Sequence, residues 1–359
     1  MKKLILASAI AALFTGTTAF AASFTTTVHA TSGNDWTTVG AGWSSGAGAT
    51  AGNTYEAKTS AGTTVVRSPA ATGAFNFPGD QLILDGVGDT VLANSTVTIT
   101  GGTSTVLQLK GGGTSTYNFN SVSGNPGLIL NGGMVNGGFA GSNTTYTLGG
   151  SIQVATTSTL NTEEGYTGIT HEQFAIAGSL SGSGNLQVEG DTNATRTFSL
   201  QSINVTSTNN SFTGGWTVIG GYLLGSGTGS LGTGAISLAN HSQLETDYSL
   251  NDSGGSLTLT GSTYILDLDQ NWTFGAVSLN GSSVAAGTYT EAELIALGIG
   301  FTSANFGTGL SSTGDQIGDG ITFANATITI AVVPEPSSLA LLGLGVVGLL
   351  FVVRRRLIA

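Results

Sequence analysis

The chain has no cysteine at all among its 359 residues. That excludes a disulfide framework and any thiolate metal site. It also has little charge: Asp, Glu, Lys and Arg together make up 8% of the chain. Basic residues are the scarcest part of that, nine against 20 acids for a net charge of −11. Five of the nine are Lys2, Lys3, Arg354, Arg355 and Arg356, at the two ends. Between them stand only Lys58, Arg67, Lys110 and Arg196, against every acid except Glu335. Such an acidic mid-section repels phosphate backbones, which argues against nucleic acid as a partner. A third lack is of helix-period hydrophobic stretches between the ends, which excludes a bundle.

Glycine, by contrast, is abundant at 57 residues, and hydrophobic residues reach 40%. Disordered chains are poor in large apolar residues and rich in charge, so this composition describes an ordered chain with many turns. The apolar residues alternate with polar ones in short runs. Examples are Val97-Thr98-Ile99, Val106-Leu107-Gln108-Leu109, Tyr117-Asn118-Phe119, Ile152-Gln153-Val154, Leu186-Gln187-Val188 and Phe198-Ser199-Leu200. Others are Ile203-Asn204-Val205, Ile236-Ser237-Leu238, Leu257-Thr258-Leu259, Val277-Ser278-Leu279, Ile321-Thr322-Phe323 and Thr327-Ile328-Thr329-Ile330. Each is three to five residues long and bounded by Gly, Asn, Ser or Thr. This pattern predicts an all-β fold, and a right-handed parallel β-helix over a sandwich, because rungs this short stack well and hairpin loops are not evident. Without disulfides, stability must come from backbone pairing and stacked apolar side chains. Thr290 to Gly298 predicts one helix, with Thr290 and Glu293 as a capping box and Gly298 as its stop, covering the C-terminal end of the stack. Ser23 to Gly79, with Trp36 and Trp43, shows no comparable regularity.

The two ends are of another kind. Lys2-Lys3, the apolar run Leu4 to Phe14 and the small residues Ala19-Phe20-Ala21 form a secretory signal peptide over residues 1–21. Cleavage is expected after Ala21, with Ala22 the near alternative, and signal peptidase is the enzyme implied. At the other end Pro334-Glu335-Pro336 precedes an uncharged apolar stretch, 339–353, and then Arg354-Arg355-Arg356. A helix there is short for a bilayer core, but flanking residues extend it and the arginines can snorkel. The Arg cluster is expected on the cytoplasmic side, with everything before Pro334 outside. Two prolines around a glutamate keep that junction extended and exposed, as a protease requires.

The order Pro-Glu-Pro, glycine-bearing apolar helix, Arg cluster over residues 332–359 resembles the PEP-CTERM sorting signal of certain Gram-negative bacteria. The resemblance implies cutting near Pro334-Glu335-Pro336 by a membrane-embedded exosortase, after transient tethering at the inner membrane, and passage to the cell surface or beyond. It also implies a setting of exopolysaccharide or biofilm. Within the mid-section (22–331), Leu180-Ser181-Gly182-Ser183-Gly184-Asn185-Leu186, Asn209 to Val218 and Ser230 to Leu238 are similar to the autotransporter-associated β-strand repeat. That similarity spans 180–238 and implies a structural passenger-like β-helix. Trp216 stands where threonine usually follows the Gly-Gly pair, so an altered turn is expected there.

Residues that could carry chemistry are few. His29, His171 and His241 have no metal spacing between them, so structural or surface roles are expected. Asp267 and Asp269 share a strand face, as paired carboxylates for acid–base work or Ca²⁺ would, but their apolar neighbours predict a solvated outer face of a rung. Glu163-Glu164 and the series Asp80, Asp85, Asp89 lack the repeat spacing of Ca²⁺-binding solenoids. Asn-x-Ser/Thr triplets at Asn94, Asn143, Asn193, Asn204 and Asn325 are frequent enough here to arise by chance. The expectation is a non-catalytic surface or matrix protein with no metal or cofactor. A secreted polysaccharide lyase or hydrolase on the same fold, and an adhesin, remain as alternatives.

Overall fold

The computed structural model describes residues 27–29, 50–51, 53–57, 73–85, 90–93, 95–101, 106–110, 114–120, 125–137, 144–161, 172–190, 201–208, 210–239, 241–307 and 326–331. Outside them lie Ala19, Ala21, Trp36, Trp43, Lys58, Arg67, Asp89, Glu163, Glu164, His171, Arg196, Pro334, Glu335, Pro336, Arg354, Arg355 and Arg356. The expected strands at 198–200 and 321–323 and the expected helix at 339–353 lie outside as well. No helix among the described residues is long and apolar enough to cross a membrane.

The fold is all-β, and its strands pair in parallel with partners one turn of chain away. Parallel neighbours need a long connection between them, and here each connection is itself made of strands. The first face runs Thr54–Glu56, Gln81–Asp85, Val106–Lys110, Met134–Gly137, Ser158–Asn161, Leu186–Glu189, Trp216–Ile219, Ile236–Leu238 and onward to Trp272–Leu279. The chain leaves each of these strands, crosses a second face and then a third, and returns one rung along. The strand Thr144–Thr156 shows the corner between those two faces directly. Its residues 145–150 pair with Thr114–Asn120 and its residues from Ile152 pair with Leu128–Asn131. Gly150, at φ 86, makes that bend. At 13 residues this strand exceeds the expected length of three to five. Two runs that alternate on different faces count as one strand because pairing continues on both sides of the glycine corner.

Among the described residues the expected alternation holds. In Val106–Lys110 and Thr114–Asn120 every second residue is buried. Those inward residues stack rung on rung into one continuous core. Part of it is an aromatic ladder, Tyr117 to Tyr146 at 6.5 Å and Tyr146 to Phe174 at 5.7 Å between ring centroids. Such offset contacts add to the burial of the rings themselves. The stack also reaches further toward the N-terminus than the irregular sequence there indicates, since Thr27–His29 pairs in parallel with Thr54–Glu56. The spacing there, 27 residues from Thr27 to Thr54 and 27 from Thr54 to Gln81, is close to that of the rungs that follow.

The turns tighten toward the C-terminus. Side-chain bonds between adjacent rungs join residues 27 apart at Thr54 and Gln81 and 30 apart at Leu180 and Asn210. Later they join residues 22 apart at Gly220 and Ser242 and 19 apart at Gly261 and Asn280. The last rungs reverse direction: Gly287–Thr290 pairs antiparallel with Thr327–Ile330. Helix α1 (Glu291–Ala296) follows, with both bonds of the capping box between Thr290 and Glu293 in place. Gly298, at φ 66, ends it as expected. Leu294 packs into the core from this helix.

Candidate functional site

Two places concentrate groups with functional potential. The first is an acidic cluster on the second face near the C-terminal end. Glu245 closes in on it from Ser242–Thr246, and its register partner on the next rung is Asp267 of Ile265–Asp267. Carboxylate oxygens of Glu245, Asp247 and Asp269 all lie within 4.8 Å of one another. Asp247 is exposed, whereas Glu245 is 0%, Asp267 1% and Asp269 5% exposed. The solvated outer face expected for Asp267 and Asp269 is therefore incorrect: both are buried. Leu266 and Leu268 face the core as expected, but this part of the face is covered. Three carboxylates so close repel one another when ionised, so the arrangement suits a shared proton or a hard cation with oxygen ligands. Among the described residues no histidine joins the cluster. His241 instead forms a corner at φ 61, its backbone N–H donating to the Thr263 carbonyl at 3.2 Å and its own carbonyl accepting from Gly221. Glu245 and Asp247 were not legible as partners of Asp269, because the rung spacing that aligns them is not visible in the sequence.

A further acid, Asp252, points inward with Leu250 and is 2% exposed. Burial raises its pKa above the ordinary 3.8, and a backbone hydrogen bond from Gly255 lowers it in part. Folding therefore binds protons here between the ordinary carboxylate range and the raised value. Stability contributed by the protonated acid is lost as pH rises through that window. Asp252→Asn keeps an acceptor for Gly255 and removes the charge. It should raise the neutral-pH melting temperature by about 2 °C and give no gain well below pH 3.8, as differential scanning calorimetry would read.

The second place is the junction between the fold and the sorting tail. The strand Thr327–Ile330 lies between Trp272–Leu279, parallel, and Gly287–Thr290, antiparallel. Ile328 is 0% and Ile330 4% exposed. The Asn271 side-chain oxygen accepts from the Thr327 N–H at 2.9 Å and from its hydroxyl at 3.1 Å. The Ala331 N–H donates to the Phe274 carbonyl at 2.8 Å, so the sheet holds the chain up to three residues before Pro334.

Comparison with known proteins bears on this second place. The family described as the PEP-CTERM protein-sorting motif matches residues 332–356, starting one residue past Ala331. No curated protein and no solved structure matches the chain. The motif defines an exported protein directed to the cell surface and processed by an exosortase. Its Pro334, Glu335, Pro336 and Arg354 to Arg356 all fall inside the matched residues.

Proposed function

We propose that this is a non-catalytic matrix or surface protein whose β-stack is displayed outside the cell after exosortase processing. The observation that carries the reading is the placement of the sorting motif directly behind Thr327–Ile330, the last described strand of the stack. In this reading residues 1–21 are a signal peptide cut after Ala21. Residues 339–353 then tether the precursor in the inner membrane with Arg354, Arg355 and Arg356 inside. The stack is a right-handed parallel β-helix, in keeping with the hand of nearly all parallel strand crossovers.

The proposed ligand is extracellular polysaccharide, and the outer side of the first face supports it. Register places Thr159, Gln187, Thr217, Ser237, Thr258 and Ser278 in one column, one residue per rung. All six are half-buried, and neighbouring strands lie about 4.8 Å apart. Hydroxyls and amides at this spacing suit a neutral, hydroxyl-rich chain. The likeness of residues 180–238 to the autotransporter-associated repeat belongs to the same reading. Its glycine pairs sit at a corner where consecutive rungs touch.

A second reading, a polysaccharide hydrolase, is favoured by the converging carboxylates of Glu245, Asp247 and Asp269. Two of the three are buried below a tenth of their surface, so a glycosidic bond reaches only Asp247 in this conformation. Glycan cleavage that Glu245→Gln and Asp269→Asn abolish would select this second reading. For the leading one, replacing Pro334, Glu335 and Pro336 together by alanine should leave an unprocessed, membrane-associated precursor. Mass mapping of both termini with cell fractionation tests it, and an unchanged mature C-terminus would sink it.

A further inference from the structure

We propose that the strand Thr327–Ile330 gates its own chain's processing, so that the exosortase acts on molecules in which this strand has left the sheet. The inference rests on the sorting reading above. Only Val332 and Val333 separate Ala331, whose N–H is bonded to Phe274, from Pro334. Three residues span at most about 10 Å even when fully extended. Enzymes that cut peptide chains bind them as extended segments through main-chain hydrogen bonds, often by adding them as a strand to a sheet edge. Residues just before this junction cannot offer that edge, because both sides of their strand are already taken.

The strand is also held well. Ile328 and Ile330 are in the core, Asn271 caps its start, and the hydroxyls of Thr288 and Thr329 lie 3.1 Å apart. It is nevertheless only four residues long, and it shares the end of the sheet with Gly287–Thr290, so the two can open together by local unfolding. Cleavage then tracks the population of the opened strand. Completion of the fold would thus slow processing and expose the tail longest on chains still assembling their last rungs.

The absence of native cysteine permits a direct test on the full-length chain in an exporting, exosortase-bearing host. The pair Thr288→Cys and Thr329→Cys joins directly opposed residues of the two antiparallel strands. Under oxidising conditions it should slow conversion of precursor to mature protein by about tenfold or more, with the rate restored by reductant. A Gly-Ser insertion between Ala331 and Val332 should speed conversion in the parent chain and make it indifferent to the lock. Conversion of the locked chain at the parent rate, or a parent rate unchanged by the insertion, overturns the gate. The alanine triple variant at Pro334, Glu335 and Pro336 separates the two ideas. If it matures like the parent, the sorting reading fails and the gate with it. If it stays unprocessed while the locked chain matures normally, the gate alone fails.

Discussion

Trp216→Ala is expected to destabilise the protein by about 3–5 kcal/mol and to split its unfolding into two transitions. Trp216 is 0% exposed, meets Phe212 edge-on at 5.6 Å, and donates from Nε1 to the Leu231 carbonyl at 2.9 Å. Truncation leaves a cavity the size of an indole and strips the Leu231 carbonyl of that bond inside the core. Unlike a globular domain, each turn of this stack touches mainly its two neighbours. A defect in the middle therefore weakens the coupling between the rungs before Leu186 and those after Ile236, which flank the tryptophan in register. Urea titration followed by circular dichroism and tryptophan fluorescence would read both effects. Trp216→Phe, which keeps most of the ring and loses the N–H, should fall well short of them. A single transition at the parent midpoint for the alanine variant would contradict this view of the core.

The second large effect is expected at a glycine. A Cβ at Gly214 would sit on the carbonyl of Gly184 one rung back, and a Cβ at Gly234 would sit on the carbonyl of Gly214. Three successive turns thus touch backbone to backbone at one corner, and there is no side chain that could yield. Gly214→Val should cost more than about 3 kcal/mol, since overpacking here can be relieved only by separating paired rungs. Gly254→Ala is the matched control, because nothing lies within 4 Å of that position. It should be neutral or stabilising by about 0.5 kcal/mol through the unfolded chain. Equal losses in the two variants would show that the corner column is not what limits substitution.

These corners refine the reading of glycine in this chain. Glycine tolerates positive φ at such corners, and Gly150 and Gly182 adopt it. At Gly184, Gly214 and Gly234 the requirement is space for the neighbouring rung. Trp216 is instructive in the same way. From the resemblance of residues 180–238 to a repeat with threonine at this place an altered turn was expected, yet Trp216–Ile219 pairs in register on both sides. The large ring goes inward, against Phe212 and the Leu231 carbonyl.

Alternation along single strands was legible because it reports only which residues face the core, a property of each strand by itself. The helix at Glu291–Ala296 was legible for a similar reason, since its capping box and glycine stop are local chemistry. The acidic cluster was not. Asp267 and Asp269 drew notice as neighbours in sequence, but Glu245 joins them only through a rung register that unequal loops conceal. Burial of all three depends on what covers the face, which period-two patterning cannot express.

The sequence by itself determined that this chain is an all-β protein carrying a sorting motif at residues 332–356, because short-range alternation and a compact linear signal need no long-range information. Only the tertiary structure decided how the turns align, which acids meet, and that the last strand is bound on both sides a few residues before Pro334. Those properties belong to pairs of rungs 20 or 30 residues apart, and parallel pairing sets them through the lengths and corners of everything between.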